Sequence, residues 1–94
     1  MYPQSGNPLH EHRWLLVDAL AANQQILSDY PHRYVFLAVK NPGHEMTSAP
    51  GQLVVAQLFW GVEMMESEGW EPVAWDLEGA TVGVVMRRTA NVGY

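Results

Sequence analysis

The chain has 94 residues, no cysteine and a formal charge of −5, with 48% apolar and 16% charged residues. That length suits one domain, 1–94, burying roughly 60 to 65% of its unfolded surface, and the apolar content is enough to order it. The missing cysteine removes disulfides, thiolate metal sites and a thiol nucleophile, and the acidic balance would repel rather than recruit a nucleic acid.

The opening MYPQSGNPLHEHRW has no basic region followed by an apolar run, so it does not read as a secretory signal. No stretch approaches the ~18 apolar residues of a membrane span, and a cytoplasmic protein is expected. Asn7 and Pro8 suit a helix start, as cap and first-turn residue. Leu9, Leu15, Leu16, Ala19, Leu20, Ile26 and Leu27 recur at helical spacing, predicting one N-terminal helix over 7–29 that Pro31 closes.

RYVFLAVK, 33–40, has apolar residues on both alternations, Tyr34, Phe36 and Ala38 against Val35, Leu37 and Val39. This predicts a strand covered on both faces. Asn41 to Gly51 reads as loop, with Ser48 as cap and Pro50 in the first turn of a second helix over 52–68. That helix carries a wide apolar face of Val54, Val55, Leu58, Phe59, Val62 and Met65. Leu53, Trp60 and Met64 form a second stripe about 160° away.

Gly69 suits a left-handed helix ending with Trp70 reaching back to Met65. EPVAWDLE and TVGVVMRR then alternate as two strands of a hairpin around Glu78-Gly79. Val73, Trp75 and Leu77 share one face of the first strand; Val82, Val84 and Met86 share one face of the second. The order α-β-α-β-β predicts an α+β fold. The last strand lies between the other two in a three-stranded, mainly antiparallel sheet, a split β-α-β unit packed against helices.

Residues 34–88 resemble the small bacterial proteins grouped as domain of unknown function 4177. The resemblance is carried by the aromatic-aliphatic Tyr34-Val35-Phe36, by Glu68-Gly69-Trp70-Glu71 after a helix, by a strand from Val73, and by the closing Val84-Val85-Met86-Arg87-Arg88. It implies a β-α-β-β fold and no known activity.

His10-Glu11-His12 does not read as a metal site, because residues two apart on a helix point to opposite sides. His44-Glu45 reads as a solvated pair. No nucleophile elbow, phosphate-binding glycine loop or dinucleotide fingerprint is present, and His44, Glu45, Asp76 and Glu78 have no mutual spacing that makes a mechanism. Neither catalysis nor a cofactor is therefore expected.

The second stripe has the spacing of a seam offered to another helix, and it could equally be covered by the N-terminal helix of the same chain. Exposed, it spans on the order of 400 Å², an interface-sized patch, and Trp14 would add to it. Doubling it gives roughly 800 Å², a weak pair. Glu63, Glu66, Glu68, Glu71, Asp76 and Glu78 lie within sixteen residues that contain no Lys or Arg. Glu66 and Glu68 oppose the helix dipole by about 0.3 to 1 kcal/mol each, either for solubility or as an acidic face that meets a basic protein partner.

The sequence thus predicts a small cytoplasmic, non-catalytic interaction or regulatory module of bacterial or phage origin that self-associates as a homo-oligomer. Two alternatives stay open. One is an acidic inhibitor, phage-encoded in that case, that occupies a nucleic-acid-binding groove of a target. The other is a small-ligand domain with a pocket lined by Tyr34, Phe36, Trp70 and Trp75.

Overall fold

A computed structural model describes residues 8–40, 49–78 and 81–89. The elements are α1 (Pro8–His12), β1 (Trp14–Leu16), α2 (Val17–Ala22), β2 (Tyr34–Lys40), α3 (Ala49–Glu66), β3 (Trp70–Asp76) and β4 (Thr81–Arg88). They form an α+β fold with a four-stranded mixed sheet in the order β1-β2-β4-β3. As predicted, β4 lies between β2 and β3 and is antiparallel to both.

The single N-terminal helix over 7–29 is replaced by a broken segment, which adds a fourth strand. Arg13 has φ 59°, a left-handed conformation that ends α1 after one closing bond, Arg13 N–H to the Leu9 carbonyl at 2.8 Å. The Arg13 carbonyl accepts from Phe36 N–H at 3.0 Å, so sheet pairing begins there. Trp14, Leu15 and Leu16 then lie parallel to Phe36, Leu37 and Ala38.

Strand geometry resolves the run of apolar residues better than a helix does. Alternation sends Leu15 into the core and Trp14 to the opposite side, and Val17, the first residue of α2, also reaches the core. After α2 the chain descends through turns to Tyr30, which is 2% exposed. The proposed cap Asn7, the capping Ser48 and the hairpin tip at Gly79 fall outside the described residues.

One core joins the helices to one side of the sheet. Leu9, Val17, Leu20, Val54, Leu58, Val62 and Met65 pack there against Val35, Leu37, Val39, Val82, Val84 and Met86. Burying a side chain of this size contributes roughly 1.5 to 3 kcal/mol. The expectation that β2 is covered on both faces holds for Leu37, Ala38 and Val39, which are all buried, whereas Tyr34 is exposed and Phe36 half-buried. The described helices that reach the core all lie on the side of Val35, Leu37 and Val39. On the other side the sheet covers itself in part. The Phe36 ring crosses onto Gly83, where an added Cβ would stand 2.7 Å from Phe36 Cε2 and 2.6 Å from the Leu37 carbonyl oxygen. Only glycine leaves that room.

α3 spans 49–66 rather than 52–68, with Pro50 in its first turn. Its end tightens into three-residue turns, Glu68 N–H to the Met65 carbonyl at 2.9 Å and Gly69 N–H to the Glu66 carbonyl at 3.3 Å. Gly69, at φ 94°, takes the predicted left-handed conformation. Trp70 and Met65 both enter the core.

The predicted alternation along β3 is broken. The register shifts between Pro72 and Ala74, a bulge that leaves Val73 unmatched and places Trp75 opposite Val84. Val73, Trp75 and Leu77 are 39%, 45% and 37% exposed, so they do not form the buried face that unbroken alternation would give.

Candidate functional site

The sequence-predicted residues separate between two layers. The slab is 21 Å along its shortest axis, about one helix plus one sheet thick. On the helical layer, Leu53 is 66% exposed and Trp60 38% exposed. Met64 packs partly against the core and lines a cleft with Leu20, Leu27 and Ser28. The N-terminal segment therefore shelters one end of the stripe and leaves Leu53 and Trp60 in solvent.

Trp14 lies on the opposite layer. In β1 it sits beside Phe36, ring centroids 4.8 Å apart, and it is 49% exposed. Tyr34, two residues before Phe36 on the same face, is also exposed. With Leu16 and Val85 half-buried nearby, this side of the sheet is an apolar surface without a described helix on it. Reading β2 as doubly covered hid this surface in the sequence, and the uninterrupted apolar types at Trp14, Leu16, Phe36 and Val85 were its signal.

The four residues of the anticipated pocket are not brought together. Tyr34 and Phe36 lie on the sheet face opposite the described helices. Trp70 is buried on the helical side against Tyr30 at 5.9 Å. Trp75 stands at the β3 edge, meeting Phe59 edge-on at 5.7 Å.

The six clustered carboxylates also divide. Glu63, Glu66 and Glu68 are exposed around the end of α3, with no ion-pair partner among the described residues. Glu71 faces Arg87 across the sheet and accepts from its Nε at 2.8 Å and also from Nη2. That hydrogen bond, followed by one with Tyr34, holds the Arg87 pKa above its ordinary value. Asp76 is five residues along β3 from Glu71, about 16 Å away at strand rise, and its carboxylate accepts from Glu78 N–H at 3.2 Å.

Charge follows the layers more closely than it follows the sequence. Every Lys and Arg in the chain sits in a strand or immediately before one: Arg13, Arg33, Lys40, Arg87 and Arg88. The helices and their turns hold Glu11, Asp18, Asp29, Glu63, Glu66 and Glu68 with no Lys or Arg. The strand layer adds Glu71, Asp76 and Glu78. The Arg88 guanidinium reaches the helical side, against Trp70 and the Tyr30 carbonyl, so the formal charges are −5 on the helical layer and +1 on the sheet layer, and Glu45, outside the described residues, completes the −5. The pattern is invisible in one dimension because acids and bases alternate along the chain.

The histidines of His10-Glu11-His12 part company as well. The His10 ring packs against Tyr30 at 5.7 Å, with Nε2 3.6 Å from Asp29, too long for a hydrogen bond. His12 stays in solvent, 3.8 Å from Glu11. His32 packs on the other side of Tyr30 and donates from Nε2 to the His10 carbonyl at 2.9 Å. His10 and His32 thus brace the Tyr30 turn against α1. Among the described residues no group of three or more His, Asp or Glu side chains is placed to hold a metal ion, and no helix is long and apolar enough to cross a membrane.

No family model, curated protein or solved structure matches this chain.

Proposed function

We propose that the protein is a self-associating interaction module in which the sheet face opposite the described helices, with its exposed Trp14 and Tyr34, docks on the acidic helical layer of the next copy. The observation that carries this reading is the segregation of charge between two layers that each expose a tryptophan: Trp14 on the strand layer, Trp60 on the helical layer. Two like surfaces meeting across a two-fold axis would bring equal signs together. A head-to-tail contact pairs −5 with +1, and such complementarity raises the association rate and fixes orientation.

Area sets the strength. Four strands about 4.8 Å apart, β1 of three residues and the others of seven or eight, present on the order of 400 Å². One contact therefore buries about 800 Å² in total, below the ~1,200 Å² of a standard stable complex. The assembly should be weak, grow with concentration and loosen with salt. The Glu63, Glu66 and Glu68 cluster also supports a second reading, a basic protein partner on the same layer, competing with the neighbouring copy.

Mixing two variants tests the head-to-tail geometry. Trp14→Glu spoils the sheet face and Trp60→Lys spoils the helical layer, so each folded variant alone should be monomeric by analytical ultracentrifugation. Mixed, each still has the surface the other lacks, and a one-to-one pair should form. A monomeric wild type at high concentration and low salt rejects the proposal. So does a mixture of folded variants that stays monomeric.

A further inference from the structure

Beneath the turns that follow α2 lies a cleft of about 330 Å³, closed below by the end of α3 and the start of β3. Leu20, Leu27, Met64, Met65 and Trp70 supply its apolar wall, and Arg88 and Glu68 reach it from opposite sequence neighbourhoods. The Arg88 guanidinium lies 4.7 Å from the Trp70 ring centroid. Its Nη2 donates to the Tyr30 carbonyl at 2.6 Å, whereas Nε is shielded from solvent and has no partner. Among the described residues no carboxylate comes within ion-pair distance of it.

A partly desolvated guanidinium without a counterion favours an anion, since removing charge from water is costly until an opposite charge is near. Its planar fork suits a carboxylate in particular. A simple anion, however, would also meet the exposed carboxylate of Glu68. A ligand carrying both signs satisfies both groups. The remaining wall is apolar, with the carboxamides of Gln24 and Gln25 and the Ser28 hydroxyl at the rim.

From this arrangement we infer that the cleft binds a small zwitterion with an apolar tail, of the α-amino-acid class. The carboxylate lies on Arg88, the ammonium on the side of Glu68, and the tail against Met64, Met65 and Leu20. The volume holds about eleven water-sized groups, enough for an amino acid the size of leucine. This inference is independent of the head-to-tail assembly, because it concerns the inside of one monomer, and Trp60→Lys should leave it unchanged.

Amide-resolved NMR titration of the full chain decides the matter with three probes: leucine, 4-methylpentanoate (the carboxylate alone) and 3-methylbutylamine (the amine alone). Leucine should shift the resonances of Met64, Gly69 and Arg88, with a dissociation constant on the order of 1 mM or tighter. Each half-ligand should bind at least about tenfold more weakly. Arg88→Gln should abolish the leucine response. Because Arg88 also anchors the Tyr30 carbonyl, Ser28→Trp serves as a second variant, filling the rim from an exposed position. Absence of a leucine response in the folded wild type overturns the inference. Equal binding by a half-ligand, or leucine binding that survives Ser28→Trp, overturns it as well.

Discussion

Gly83→Ala perturbs the point where the sheet face opposite the described helices packs on itself. The new methyl would stand 2.7 Å from Phe36 Cε2 and 2.6 Å from the Leu37 carbonyl oxygen, well inside van der Waals contact. The ring can swing away, but Leu37 pairs with Val84 and Ala38 with Gly83, so the carbonyl can retreat only by opening the central ladder. Overpacking of this kind costs about 1 to 3 kcal/mol, and the fixed backbone contact puts this site at the upper end. Against a total of about 5 to 14 kcal/mol for 94 residues, the loss is large. It corresponds to a fall in Tm of roughly 10 to 20 °C in a domain of this size. Calorimetry of Gly83→Ala, Phe36→Ala and the double variant gives the coupling. The double variant should be less destabilised than the two single changes together by about 1 kcal/mol, and not fully rescued, because the carbonyl remains. A Tm within about 3 °C of wild type for Gly83→Ala would show that Phe36 does not lie across this strand.

Leu58→Ala removes a side chain with 0% exposure at the centre of the core and should cost about 2 to 5 kcal/mol in urea unfolding. Leu53→Ala, 66% exposed on the same helix, should stay within about 0.5 kcal/mol, and equal costs would place α3 in a different rotation. Tyr30→Phe deletes the 2.6 Å bond from the Tyr30 hydroxyl to the Tyr34 carbonyl, an expected loss of about 1 kcal/mol. Burial raises the Tyr30 pKa, with Arg13 and then Arg88 pulling partly against it. A raised folded pKa means the contribution is fully present below the unfolded value near 10.0 and is lost as pH rises through the folded one. Thermal melts of wild type should therefore fall from about pH 10 upward, and Tyr30→Phe should flatten that fall; parallel curves would remove Tyr30 from the alkaline transition.

Much of the fold was legible wherever local chemistry and tertiary packing agree. β2 is dense in aromatic and aliphatic types and β4 in β-branched ones, α3 is a long apolar-rich segment, and Gly69 stands where α3 must turn. The placement of β4 between β2 and β3 follows from a crossover succeeded by a hairpin. The N-terminus misled for a physical reason. Leu9, Leu15, Leu16, Ala19 and Leu20 fit a helical stripe almost as well as they fit a helix, a strand and a second helix in succession. The choice is made by Arg13 at φ 59° and by the free edge of β2, neither of which periodicity can register. The bulge at Val73 misled in a smaller way, because one extra residue reverses every later side chain. Of the site, the exposure of Leu53 and Trp60 is one of the two outcomes that the periodicity left open. The Arg88 cleft was not, since its walls come from residues 20–28, 64–70 and 88.

On the proposed head-to-tail contact, the break at Arg13 also decides how copies of this chain would meet. Were 7–29 one helix, Trp14 would share the helical layer with Trp60, and a single greasy surface could pair with itself across a two-fold axis. Because the chain enters the sheet at Trp14 instead, the two tryptophans are carried to opposite layers, and the basic residues that flank the strands are carried with one of them. A surface that is not its own complement cannot close a symmetric dimer through both anchors at once; it can only meet the other surface on a different copy. If the proposed contact forms, one left-handed residue thus turns an arrangement suited to a closed pair into one suited to a chain or ring, whose length would be set by concentration and salt rather than by symmetry.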